Sequence, residues 1–181
     1  IMMRCKWCNL NNPLYIEYHD NEWCQPNYDD KYLFEMLILE TFQAGLSWEC
    51  ILNKRENFRK AFDNFDIEKI CNYNDEKVQE LLHDEKIVRN KLKINATINN
   101  SKIFKMIQSE YETFHNYLKV FTNDKIIYET NNTTNLLSDT ISKDLRKRGM
   151  KFVGSTIIYS YLQAIGVIYS HDKECFMYKK Q

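Results

Sequence analysis

Glycine and proline are scarce in this chain, at 4 and 2 of 181 residues, which argues for helices with short connections. Excess charge is missing too. The 25 basic residues balance 25 acidic ones, so no global field draws the chain to nucleic acid or membrane. Any basic DNA-binding face must therefore be local. No run of about 18 apolar residues exists, which sets a membrane span aside. The start, Ile1-Met2-Met3-Arg4-Cys5, leads straight into polar sequence without a signal-peptide pattern. Six cysteines without a secretion signal point to a reducing compartment, with thiols free or on metal. Strand alternation, internal repeats and low-complexity tracts are absent as well.

Hydrophobic residues are plentiful, at 44%, enough for a real core. The length suits one domain, or one domain with a small lobe. Helical spacing predicts an all-α chain. Residues 1–28 read as irregular but crowded with aromatics and soft ligands, as in a wrapped site. A helix is expected over 29–44, capped by Asp29 or Asp30, and another over 48–62. Asp66 and Asn74 cap short helices over 67–72 and 75–83. A longer pattern runs from 86 to 108, and Thr113 opens 114–121. Residues 122–137 read as the main surface loop. Ser138 is expected to cap a helix ending near Gly149. Gly154 and Ser155 open a last helix whose apolar face includes Ile158, Leu162, Ile165 and Ile168.

The stretch from Leu39 to Trp48 stands out. Leu33, Met36, Leu37, Glu40 and Ala44 follow one another at spacings of three and four, so Glu40 lies on the face that should meet the core. A carboxylate there is expensive unless something satisfies it; Tyr18 or ordered water is the expected partner. Gly45 is placed to end the helix in a left-handed conformation, and Ser47 to cap the next. The plain alternative is a helical hairpin with a polar spot in its core.

Two further groupings carry chemistry. Between Lys143 and Thr156 the pattern is helix, glycine-bounded hairpin, helix. Gly149 and Gly154 permit turns that leave amide N–H groups pointing outward at a helix start. Lys143, Arg146, Lys147, Arg148 and Lys151 surround it with positive charge, which suits a phosphodiester backbone. A plain basic turn between two core helices is the alternative. The second grouping is Cys5, His19, His171 and Cys175. His171 and Cys175 are spaced to chelate one ion, and Cys5 and His19 lie at the other end of the chain. Four such ligands would close a tetrahedral zinc site and pin the termini together. Cys8 completes a Cys-x-x-Cys with Cys5 and competes for the role. With all four positions filled by protein, the metal would be structural. Unrelated core thiols and surface histidines are the alternative.

Read in order, Arg4-Cys5-Lys6-Trp7, the stretch from Pro13 to Trp23, the stretch from Glu40 to Trp48 and the stretch from Lys147 to Thr156 form a specific set. With them the chain resembles the DNA-3-methyladenine glycosylase I family of the helix-hairpin-helix glycosylase superfamily, over nearly its full length. The resemblance implies a helix-hairpin-helix domain with residues 1–28 and 169–181 forming a zinc-binding lobe. It implies an enzyme that flips out 3-methyladenine and releases it from alkylated double-stranded DNA, leaving an abasic site. Its zinc ligands map onto Cys5, His19, His171 and Cys175. Its base-binding groups map onto Glu40, Tyr18 and Trp48, with Trp7 and Trp23 lining the pocket. Its phosphate-binding hairpin maps onto Gly149, Lys151, Gly154, Ser155 and Thr156, and Leu46 is a wedge for the gap in the duplex. The chain departs at Cys24, where the family pattern reads glycine. The superfamily's aspartate downstream of the hairpin is missing, so strong general-base catalysis is not expected. The implied setting is a monomer in a bacterial-type cytoplasm, near the nucleoid, with no membrane. A non-catalytic helix-hairpin-helix DNA-binding module and a zinc-organised protein adaptor are the rival readings.

Overall fold

Helix α2, Asp30–Gln43, is the centre of the molecule. All ten residues from Leu33 to Phe42 are buried, so the helix is enclosed on every side rather than along the single stripe that spacing suggested. Each large apolar side chain so enclosed contributes roughly 1.5–3 kcal/mol. The computed structural model describes residues 2–179; Ile1, Lys180 and Gln181, which the expected terminal lobe included, lie outside them.

Around α2 the chain runs through α1 (Pro13–Asn21), α3 (Trp48–Asn53), α4 (Arg55–Ala61), α5 (Ile67–Cys71) and α6 (Asp75–Leu82). It continues through α7 (Lys91–Tyr111), α8 (Phe114–Thr122), α9 (Leu136–Lys147) and α10 (Ser155–Ala164). Helix α10 packs against α2 and α9, and α7 against α5, α6, α8 and α2. No helix among the described residues is long and apolar enough to cross a membrane.

Several boundaries differ from the sequence expectation. Residues 1–28 are not wholly irregular: Asn12 accepts the Leu14 N–H and Pro13 opens α1. The expected helix over 48–62 breaks at Lys54 into α3 and α4. Helix α7 begins at Lys91, because Asn90 is extended and caps it. The cap of α9 is Asn135, and Ser138 is its reciprocal partner three residues on. Asp30 does not cap its own helix. Its carboxylate accepts the backbone N–H groups of Phe114 (2.8 Å) and His115 (3.1 Å), fixing the start of α8 against α2. Helix α10 stops at Ala164, so Ile168 is not on it. Two-residue strands β1 (Ile127–Tyr128) and β2 (Ile168–Tyr169) pair in parallel, a small addition to an otherwise helical fold. Strand β2 delivers the chain directly to Ser170 and His171. There the Phe176 N–H donates to Met3 O (2.8 Å) and the Lys6 N–H to Asp172 (2.8 Å), joining the two terminal segments.

Candidate active site

Helix α1 serves two sites at once. Tyr15 and Tyr18 leave it toward a cavity, while His19 turns the other way, into a cluster of thiols. Its end is fixed by Trp23 N–H donating to Tyr18 O at 2.8 Å. Cys24 follows in the left-handed region, at φ 64°, so the turn survives without its glycine. Its buried thiol accepts the Ser170 N–H at 3.4 Å, and burial pushes its pKa up to about 12, which leaves it unreactive.

The cavity holds about 160 Å³ and is lined by Trp7, Tyr15, Tyr18, Trp23, Glu40, Gln43, Trp48, Ser160 and Gln163. All five aromatic and acidic residues expected at a base pocket are therefore together. Tyr15, Gln43, Ser160 and Gln163 were missed. Tyr15 was within reach: Asn12-Pro13 is a helix-start signal, and it puts Tyr15 one turn from Tyr18. Gln43 likewise lies one turn beyond Glu40. The walls interlock, with Trp7 and Trp23 edge to face at 4.8 Å and Tyr18 and Trp48 tilted at 5.5 Å.

Three buried polar atoms on this lining have no hydrogen-bond partner: Glu40 Oε2, Gln43 Oε1 and Trp48 Nε1. Buried polar atoms are rarely left so, and three around one cavity make a site shaped for a polar ligand. Tyr18 lines the same cavity without bonding Glu40 Oε2, so of the two partners expected from sequence, Tyr18 or ordered water, it is not Tyr18. Glu40 is 3% exposed, and burial alone pushes its pKa well above the ordinary carboxylate range. With no cation beside it, the neutral acid is favoured.

Behind the aromatic wall lies the second cluster. The ligand atoms of Cys5, His19, His171 and Cys175 lie within 4.8 Å of one another, and all four residues are buried. Cys8 is not among them. The His171 Nδ1 is 3.3 Å from Cys5 Sγ and 3.6 Å from Cys175 Sγ, and His19 Nε2 is 3.5 Å from Cys175 Sγ. A tetrahedral zinc with about 2.3 Å to sulfur and 2.0–2.1 Å to nitrogen has S···N edges of about 3.5–3.6 Å. The donor set and its spacing fit that ion. Asp20, held ionised by Arg4, accepts from His19 Nδ1 at 2.7 Å, which leaves the Nε2 lone pair for the cluster. Burial lowers the His171 pKa to about 4, so its imidazole is neutral. Trp7 packs on His19 (5.2 Å) and Trp23 on His171 (4.8 Å). The pocket wall and the cluster thus share one set of contacts.

The hairpin between α9 and α10 differs from expectation in its detail. Gly149 has φ 100°, where glycine is favoured. The second left-handed residue is Phe152, at φ 57°, not Gly154, whose φ of −59° suits any residue. An added Cβ at Gly154 would meet nothing within 4 Å, so the glycine leaves open space beside the first turn of α10. Lys143, Arg146, Lys147, Lys151 and Thr156 are exposed there. Arg148 is not part of that surface charge, because it binds Glu110 (2.7 Å) and Asp144 (2.8 Å). The Ser155 hydroxyl is also spent, on Asp139 at 2.5 Å. Leu46 is 42% exposed on the turn after Gly45, which has φ 77° as expected.

The methyladenine glycosylase family model matches residues 7–178. The chain belongs to this family. It is 43% identical to DNA-3-methyladenine glycosylase 1 of Escherichia coli (strain K12), over 98% of this chain and 97% of that one. It is 34% identical to the DNA-3-methyladenine glycosylase of Haemophilus influenzae, over 95% and 96%. A crystal structure of a 3-methyladenine DNA glycosylase I superposes with a TM-score of 0.93 at 40% identity, covering 98% of this chain and all of the other. A variant of such an enzyme in complex with 3-methyladenine superposes at 0.92 with 32% identity, covering 99% of each.

Proposed function

We infer that this chain is a base-excision-repair DNA glycosylase that flips 3-methyladenine out of double-stranded DNA and releases it, leaving an abasic site. The observation that carries this is the buried, unpartnered Glu40 acid in an aromatic pocket with two more unsatisfied polar atoms. A 3-methylated adenine is a cation while joined to the sugar. It therefore leaves readily: the C1′–N9 bond breaks, its electrons neutralise the ring, and water supplies the oxygen at C1′ and gives its proton to solvent. Little acid or base help is needed. Trp48 and Tyr18 hold the cationic ring by stacking and cation–π attraction, of order 0.5–2 kcal/mol. The positive ring makes the Glu40 carboxylate favourable where burial alone opposes it, and that carboxylate accepts from the exocyclic amine. Neutral adenine offers no such compensation, and selectivity follows.

Leu46 is the wedge that fills the gap left by the flipped nucleotide. The open first turn of α10, from Gly154 to Thr156, takes a phosphate, with Lys151 beside it. The test is incubation with N-methylated duplex DNA and chromatography of the released bases. Free 3-methyladenine is expected. Binding without any released base would favour a non-catalytic helix-hairpin-helix module instead.

Cys5, His19, His171 and Cys175 hold one structural zinc ion, and the two terminal segments form one lobe around it. Zinc supplies no reaction step here, since four protein ligands leave no open position. Metal analysis should give about one zinc per chain, and Cys175→Ser should lose it together with much of the stability. Full zinc in stable Cys175→Ser protein would rule out this ligand set.

A further inference from the structure

Helix α7 carries a buried polar row that the reading above leaves unused: Lys93, Thr97, Asn100 and Ser101. Thr97 and Ser101 turn their hydroxyls back onto their own helix. Asn100 spends its amide on the α9–α10 hairpin, donating to Lys151 O and accepting the Lys151 N–H, both at 2.9 Å. Lys93 reaches the other way. Its Nζ donates to the carbonyls of Phe42 (2.8 Å) and Ala44 (2.5 Å), at the end of α2 just before the Leu46 turn. The same ammonium lies 6.0 Å from the ring centroid of Phe152, the left-handed residue of the hairpin.

Lys93 is only 5% exposed, and burial alone shifts its pKa, downward, with no acid beside it to oppose the shift. A lysine is rarely enclosed in this way without a carboxylate. What holds it is the negative end of the α2 dipole and an aromatic face. One buried cation therefore joins the turn that carries the wedge to the loop beside the phosphate site, and α7 is the bar between them.

We propose that Lys93 is a positioning residue for base flipping, locking the Leu46 turn to the Gly149–Gly154 hairpin so that wedge and phosphate grip act at a fixed separation. This rests on the glycosylase reading. Flipping costs a few kcal/mol and succeeds only if the wedge enters the duplex while the neighbouring phosphate is held. Lys93 touches neither base nor phosphate. Its effect is on register.

The test compares wild type, Lys93→Met and Lys93→Arg in four assays. These are single-turnover excision, fluorescence of 2-aminopurine beside a stable abasic analogue, affinity for undamaged duplex, and affinity for free 3-methyladenine. In Lys93→Met, excision should fall about tenfold to a hundredfold, as a displacement of about 1 Å does elsewhere. The 2-aminopurine signal should fall with it, while free-base affinity and undamaged-duplex affinity stay at wild-type values. Lys93→Arg should restore most of the loss. Wild-type excision and flipping in Lys93→Met would overturn the proposal. So would a loss of free-base affinity equal to the loss of excision, which would place the effect in the pocket. Should Lys93→Met not fold, Phe152→Leu removes the ring and keeps both carbonyl bonds. A smaller fall in flipping is expected from it, and wild-type flipping would overturn the link. A wild-type chain that releases no 3-methyladenine would instead sink the glycosylase reading itself.

Discussion

Glu35 and Glu40 stand five residues apart on one helix, both buried, and they meet opposite surroundings. Glu35 faces α4, where Arg55 Nη2 reaches its Oε2 at 2.7 Å and Arg59 Nε its Oε1 at 2.7 Å. Desolvation raises its pKa, but the Arg59 and Arg55 bonds outweigh it, and the net shift is downward. Arg55 also binds Glu22 at 2.8 Å, so the network ties α4 to α2 and to the end of α1. Glu40 faces the cavity with nothing opposed to it, and its pKa rises. One acid is spent on holding helices together. The other is left unspent on the wall of the cavity. Two titratable groups pushed apart by their environments mark which of them is the candidate for chemistry.

The comparison can be broken most forcefully at Glu35. Glu35→Ala leaves Arg55 and Arg59 side by side without their shared carboxylate. We expect a loss of about 3–5 kcal/mol in urea unfolding, with excision per folded molecule near wild type. A stable Glu35→Ala protein would mean that the network is decoration. At Glu40 the expected effects are reversed. Glu40→Gln keeps shape and one acceptor but removes the charge, and a charged hydrogen bond in a dry site is worth about 1.5–3 kcal/mol. Excision and free 3-methyladenine affinity should both fall, by roughly tenfold or more. Normal free-base binding with excision abolished would make Glu40 a catalytic base and defeat the account of selectivity.

The smallest effect is the pH dependence of stability, where the two acids carry opposite signs. A raised carboxyl pKa costs nothing below the unfolded value of about 4.3 and costs more as pH rises toward its folded value. Glu40→Gln removes that cost. Its melting temperature should match wild type near pH 4 and exceed it near neutrality, each kcal/mol being worth roughly 2–4 °C for a chain of this length. Glu35 contributes stability above its unfolded pKa that is lost as pH falls through its lowered folded value, so its removal should flatten the acid side of the curve. Equal melting curves for wild type and Glu40→Gln from pH 4 to 8 would show that Glu40 is satisfied in the free protein.

Much of this was legible in the residues. Glu40 announced itself because an acid at helical spacing among apolar residues has few structural uses. Glu35 did not. A reading by stripes puts it on the outer face of α2, and only the packing of α4 reveals that this helix has no outer face along those ten residues. Helix α1 was overlooked because its aromatics obscured an ordinary Asn-Pro start. The cysteine–histidine cluster was half legible: His171 and Cys175 declare a chelating pair, whereas Cys5 and His19 could be grouped with them by ligand type and by their place at the other end of the chain but not by spacing, and their meeting is a tertiary fact. In the hairpin the rule that seeks glycine at left-handed positions found Gly149 and passed over Phe152, since a phenylalanine in that conformation sends no signal. Gly154 matters for the room it leaves, which a one-dimensional reading does not contain.

The packing of Trp7 and Trp23 on His19 and His171 also bears on the order in which the molecule matures. Trp23 and the imidazole of His171 that backs it lie far apart in the sequence. Some 150 residues separate these partners in the chain, and closing so long a loop comes late for entropic reasons. The helices of the core can assemble while synthesis continues, but the wall of the pocket has nothing firm behind it until His171 and Cys175 emerge. Firm backing for the aromatic wall is therefore acquired after the core helices, not with them.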